Sequence, residues 1–119
     1  MGEIQFFVRL AEDVKHSAET YAYLYIPDKN GKTQFTELTN IEASHGIRDP
    51  RLDEGTPPEE ASFVFQLYWE KLRGTGMTFV EIKAWQDLTG FKLETWEIDL
   101  LFVIHNAVER FIYERDYAK

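Results

Sequence analysis

The chain contains no cysteine. That absence removes disulfides, thiolate metal sites and a cysteine nucleophile, and it fits a reducing compartment such as the cytoplasm. Long apolar runs are missing as well. The longest, Leu100 to Ile104, falls far short of the roughly 20 residues that a membrane span needs, so no membrane partner is expected. No basic segment precedes an apolar stretch near Met1, and no signal peptide is expected. Positive charge is scarce: 13 Lys and Arg stand against 21 Asp and Glu, for a net charge of −8. Lys and Arg are what neutralise phosphates and release their counterions, so no nucleic-acid partner is expected. There is no glycine-rich phosphate loop, nucleophile elbow or zincin helix. No catalytic residue, metal ligand set or cofactor is assigned, and the chain is not read as an enzyme.

What the chain does have is apolar and aromatic content, at 44% and 15% of its 119 residues. That suits one folded domain over residues 1–119 with a small core. It divides near Pro57 into a β-hairpin and acidic-loop region, 1–55, and a helical region, 56–119. In the first part, Ile4, Phe6, Val8 and Leu10 alternate like a strand, yet Ile4, Phe7, Val8, Ala11, Val14, Ala18 and Tyr21 fit a helix equally well. Next, Tyr21–Ile26 and Thr33–Leu38 are β-branched and aromatic and flank "DKNG", whose Asn30-Gly31 is a hairpin turn signal. A β-hairpin is expected there. The stretch "NIEASHGIRDPRLDEGTPP" reads as a loop. Its Asp49, Asp53 and Glu54 lack the spacing of an EF-hand, and His45 with Asp49 supplies too few ligands for zinc.

The second half is helical. Thr56, Pro57 and Glu59 spell an N-cap, a first-turn proline and a capping box, for a helix running to about Arg73 and stopped by Gly74. Thr78 and Glu81 repeat the box, and Gly90 is a left-handed stop. A third helix opens near Glu94–Trp96 and continues to about Arg115. The expected fold is therefore α+β, an N-terminal β-hairpin region followed by a C-terminal three-helix unit.

The third helix is apolar over more than the usual arc of 100° or so. Ile98, Leu101, His105, Val108 and Ile112 form one stripe, Leu100, Ile104 and Phe111 widen it, and Phe102 and Val103 fall outside it. Either the N-terminal half covers the extra face or a partner does. His105, among apolar neighbours, reads as a core or interface imidazole with a hydrogen bond. Trp69, Trp85 and Trp96 fall one per helix, either as a shared core or as anchors for a partner. Tyr68 and Trp69 are adjacent, so at least one of them should lie near an edge of its helix.

"TFVEIKAWQDLTGFKLETWEIDLL", Thr78–Leu101, has the outline of a DNA-reading helix-turn-helix. Its glycine comes two residues late relative to Ala84. The would-be recognition helix carries Glu94, Glu97 and Asp99 toward the phosphates, with Lys92 alone nearby to oppose them. Two capped helices, each presenting a Trp, account for the outline without DNA.

These same residues carry a resemblance. Tyr68-Trp69, Glu81-Ile82 with Ala84-Trp85, Leu88-Thr89-Gly90 and Trp96-Glu97-Ile98 are similar to the pattern of short proteins encoded beside the tail-tube genes of long-tailed phages, the tail assembly chaperones. The likeness covers roughly residues 60 to 112. The chain departs from the pattern at Glu94-Thr95, where the family has Thr-Pro and a stronger cap, and at His105–Val108, where the family carries an Asp and a Tyr-Leu. The resemblance implies a non-enzymatic protein of the host cytoplasm that binds tail-tube or tape-measure subunits before they assemble. A homo-oligomer is left open. Partner-binding residues are then expected among Tyr68, Trp69, Glu97, Asp99, Phe102 and Val103. Two other readings stand beside it: a structural subunit of the virion or tail, and an acidic inhibitor that mimics nucleic acid. The second needs the six acids between Glu42 and Glu60 to stand clustered on one face with strand-like spacing.

Overall fold

A computed structural model describes the backbone of residues 2–118 and the side chains of residues 5–118. Helix α1 spans Gly2–Tyr25, α2 Gln34–His45, α3 Ser62–Leu67, α4 Phe79–Thr89 and α5 Thr95–Asp116, and no strand occurs among the described residues. The α+β expectation is thus corrected to an all-helical fold, and the β-hairpin is replaced by the end of α1 and the whole of α2. The Asn30-Gly31 turn is real. The Asp28 carboxylate accepts from the backbone N–H groups of Asn30 and Lys32, and Gly31 adopts a left-handed φ of 78°. It joins two helices rather than two strands. Thr33, taken for the start of a strand, is the N-cap of α2, its hydroxyl accepting from the Thr36 N–H at 3.2 Å.

Packing decided the period of the first helix. Leu10, Val14, Ala18 and Ala22 recur every four residues and are all buried, forming one stripe along α1. The two alanines let a neighbour approach closely, and α5 supplies it with Leu100, Leu101, Ile104, Ala107 and Val108, all buried in the same cluster. The two helices run in the same direction. Lys15 and Glu19 border one groove with Ala107, Arg110, Phe111 and Glu114, and Arg115 near the end of α5 reaches the Ile26 and Pro27 carbonyls just beyond α1. Most of the wide apolar arc of α5 is therefore covered by α1 and α3. The alternating set Phe6 and Val8 points outward instead, both about half exposed. The Ile4 side chain lies outside the described residues.

The segment after Pro57 begins differently from its expected capping box. A 3-10 turn, Glu59–Ala61, starts at Pro58 without a side-chain cap. Thr56 serves through its carbonyl, which lies 3.1 Å from the Ser17 hydroxyl. After α3 the helix widens into a π-turn, Tyr68–Leu72, then tightens into a 3-10 turn, Arg73–Thr75. Gly76 and Met77 follow with φ of 88° and 55°. Met77 holds this disfavoured conformation while its side chain is buried in the core. A separate small cluster of Leu24, Leu38 and Leu52, backed by Tyr23, fastens α2 and a 3-10 turn at Pro50–Asp53 to the end of α1. The molecule measures 47 × 33 × 30 Å with a radius of gyration of 15.9 Å. A compact chain of this length would have about 13.5 Å, so more side chains stand at the surface than size alone requires.

Candidate functional site

Tyr68 opens the π-turn, a widened geometry often found at functional sites. It is wholly buried. Its hydroxyl lies 3.0 Å from His105 Nδ1 on α5, the hydrogen bond expected of that imidazole. Burial pushes the phenol up to about 12, so it stays protonated and donates. In the neutral imidazole the proton then sits on Nε2, toward the Glu109 carboxylate 3.9 Å away. Trp69 is half-buried, its ring 4.5 Å from Tyr21 with the Arg73 guanidinium over it, and its buried Nε1 has no hydrogen-bond partner among the described residues. Tyr68 therefore lies in the core and Trp69 at its edge.

The remaining expected residues fall together on the first turns of α5. Glu97 is occupied: its carboxylate accepts from the Glu94 N–H at 2.8 Å, while Glu94 caps the N–H of Glu97. This reciprocal box closes the helix start that looked weakly capped. Asp99 is exposed, and Phe102 and Val103 are half-buried. Phe102 meets Phe79 of α4, ring centres 4.8 Å apart.

Phe79 brings in α4, whose local structure follows its sequence closely. The Thr78 hydroxyl accepts from the Glu81 N–H at 3.2 Å, and Gly90, φ 75°, ends the helix. The Gln86 side-chain oxygen accepts from the Leu93 N–H at 2.7 Å and holds the turn into α5. Of the eleven residues of α4, Ile82 alone is buried. Phe79, Val80 and Leu88 are 70%, 77% and 86% exposed. With Lys83, Ala84 and Asp87 they form an outward face, where Phe79, Val80, Lys83, Ala84 and Asp87 enclose a shallow hollow of about 450 Å³. These residues were missed in reading the sequence. The signal was there: Val80, Ala84 and Leu88 recur every four residues on the side opposite Ile82, so the helix is apolar on two sides. Beyond it, Phe63 and Phe91 pair at 4.9 Å, with Trp85 5.7 Å from Phe91, and Trp96 is partly exposed.

The acidic loop is folded on its own cations. Arg48 holds Glu42 at 2.8 Å and Asp53 at 2.7 Å. Arg51 holds Asp49 at 2.7 Å and lies over the Tyr23 ring. Glu54 lies 3.1 Å from His16 Nε2. These hydrogen bonds pull Asp53 below the usual carboxylate range and Asp49 down to about 2. Four of the six acids between Glu42 and Glu60 are thus drawn into pairs, Glu59 and Glu60 sit exposed at the start of the next helical segment, and no strand among the described residues sets their spacing. No group of three His, Asp or Glu side chains able to hold a metal ion is found among the described residues.

The family model described as phage tail assembly chaperone matches residues 41–110, more than half of the chain. The chain belongs to the phage tail assembly chaperone family. No curated protein and no solved structure matches it. The family match starts in α2 and ends within α5, so it contains the π-turn, all of α4 and the Phe79–Phe102 contact. It leaves out α1, which forms the other wall of the core. For this tail assembly chaperone family member, no described helix is long and apolar enough to cross a membrane.

Proposed function

We propose that this chain binds tail-tube or tape-measure subunits before they assemble, and that the contact is made on the surface where α4 meets α5. The observation that carries this is the exposed ring pair. Phe79 is 70% exposed, yet its ring already packs on Phe102 at 4.8 Å, tilted by 50°, so the two rings are held together before any partner arrives. An anchor ordered in advance loses little entropy on binding, and aromatic side chains dominate binding hot spots. Val103 and Asp99 extend the surface, Glu97 fixes the start of the helix that bears it, and Tyr68 supports that helix from the core through His105, with Trp69 packed beside Tyr68. An assembling tube subunit exposes apolar surface that must be covered to stay soluble. A protein of net charge −8 can cover it while resisting its own aggregation.

The role is non-enzymatic, as the family implies, and its setting is the host cytoplasm. Residues 1–119 act as one domain, because the stripe of α1 needs α5 to bury it. The test is co-expression with the tail-tube and tape-measure proteins of the same genome, followed by pull-down. Capture of either is expected, with Phe79→Ser and Phe102→Ser each weakening it at least tenfold. Failure to capture both would overturn the reading. Finding the chain in purified particles would make it a virion subunit instead.

A further inference from the structure

The outward face of α4 has a charge pattern that matches itself when turned around. Lys83 and Asp87 lie one turn apart on one flank, 3.4 Å from each other and both well exposed. Ala84, the smallest side chain on this face, sits at its centre, with Val80 one turn before it and Leu88 one turn after it. If two such helices pack antiparallel about a two-fold axis at Ala84, like flanks face one another. Lys83 of each copy then meets Asp87 of the other, and the two alanines allow the helices to approach closely. Val80 falls opposite Leu88. The 86% exposed Leu88 of each copy enters the hollow that Phe79, Val80, Lys83 and Ala84 border on the other. An arbitrary partner would need to supply both the complementary charges and the knob at this spacing. A second copy supplies both.

We propose that this chain pairs with a second copy of itself through the outer faces of the two α4 helices, antiparallel, with Leu88 as knob and Lys83–Asp87 as the reciprocal charge pair. The pairing does not depend on the client-binding reading. It leaves Val103 and Asp99 of α5 open but engages Phe79, so a client seated on that ring and a second copy would compete, and it is measured without any client. At about 1.5 Å per residue, α4 is only some 16 Å long, which places the interface in the small, weak class below about 1,200 Å². Two chains of the same sign also repel, a repulsion largely screened beyond about 8 Å at physiological salt.

Sedimentation velocity and light scattering of the full chain, at about 10 to 500 µM and physiological salt, test the pairing. The wild type is expected to dimerise with concentration. Lys83→Asp places four acids together and Asp87→Lys places four bases together, and each should weaken dimerisation at least tenfold. Leu88→Ser should do the same by removing the knob. Mixing the two charge variants should restore a dimer made of one chain of each kind, and the double variant K83D/D87K should recover the wild-type dimer. All these positions are exposed, and circular dichroism confirms that each variant folds. A wild type that stays monomeric over the whole range would overturn the proposal. So would a dimer that the single charge swaps leave unchanged, or single variants that fail to pair with each other.

Discussion

Arg115 ties the end of the last helix to the chain leaving the first. Its guanidinium donates to the Ile26 carbonyl at 2.9 Å and to the Pro27 carbonyl at 3.0 Å, joining positions 89 and 88 residues apart. No basic residue lies in the last turn of α1, so α5 supplies the cation near its negative end. A hydrogen bond with a charged partner contributes about 1.5–3 kcal/mol. The Arg115 side chain is 28% exposed, and water can replace part of what is lost, so the pair of bonds is worth about 2 kcal/mol in place of twice the single value. Arg115→Ala should cost about that much. At roughly 4 °C per kcal/mol for a chain of this size, Tm should fall by about 8 °C, and the urea midpoint by about 1 M. Arg115→Lys keeps the charge but cannot place a planar fork on two carbonyls, and should lose about half as much. Thermal and urea unfolding followed by circular dichroism measure both. If Arg115→Ala unfolds within about 0.5 kcal/mol of wild type, the level expected of a featureless surface position, the tie contributes nothing to stability.

Tyr68→Phe should leave His105 Nδ1 without its donor and cost about 1–3 kcal/mol in urea unfolding. Because the folded phenol is raised to about 12 from an ordinary 10, its contribution is intact below pH 10 and is lost as pH climbs toward 12. An ultraviolet titration should therefore show one tyrosine ionising together with unfolding in that window, and in Tyr68→Phe that step should vanish. Asp49 and Asp53 are shifted the other way. The pairing of Asp49 with Arg51 is complete above about pH 4 and disappears as pH falls toward 2, and that of Asp53 with Arg48 is likewise lost on the acid side, which NMR of the Arg48 and Arg51 side-chain NH signals should follow while the helical core persists. Leu38→Ala removes the buried anchor of α2 in the small Leu24–Leu52 cluster, and should cost about 2 kcal/mol. Hydrogen exchange should speed up in α2 before it does in α5.

Much of the second half was legible because short-range chemistry sets it. Thr78, Glu81 and Gly90 do what a cap, a capping-box partner and a left-handed stop do in any helix. The first half misled because Tyr21, Tyr23 and Tyr25 alternate and favour strands, while the spacing of Val14, Ala18 and Ala22 needed a partner before it could count. That partner, α5, lies some 90 residues away, and packing overrode local preference. The Asn30-Gly31 turn was read correctly as a turn and wrongly as a hairpin, since the same two residues can reverse a chain between any two elements. At the site, Phe102 drew notice because it fell outside an apolar stripe. The depth of Tyr68 could not be foreseen, because its π-turn breaks the regular spacing on which such a reading relies. Phe79, Val80 and Leu88 could not be told from a core stripe by spacing alone, because the sequence does not say that Ile82, on the opposite side, is the residue the fold buries.

The parallel pairing of the first and last helices has a consequence for how the protein is made. A ribosome releases α1 well before α5, and its stripe of Leu10, Val14, Ala18 and Ala22 then waits for a wall that emerges about 80 residues later. This core can therefore close only once α5 has left the ribosome. Any product that stops before α5 leaves that stripe bare, sticky and open to proteases.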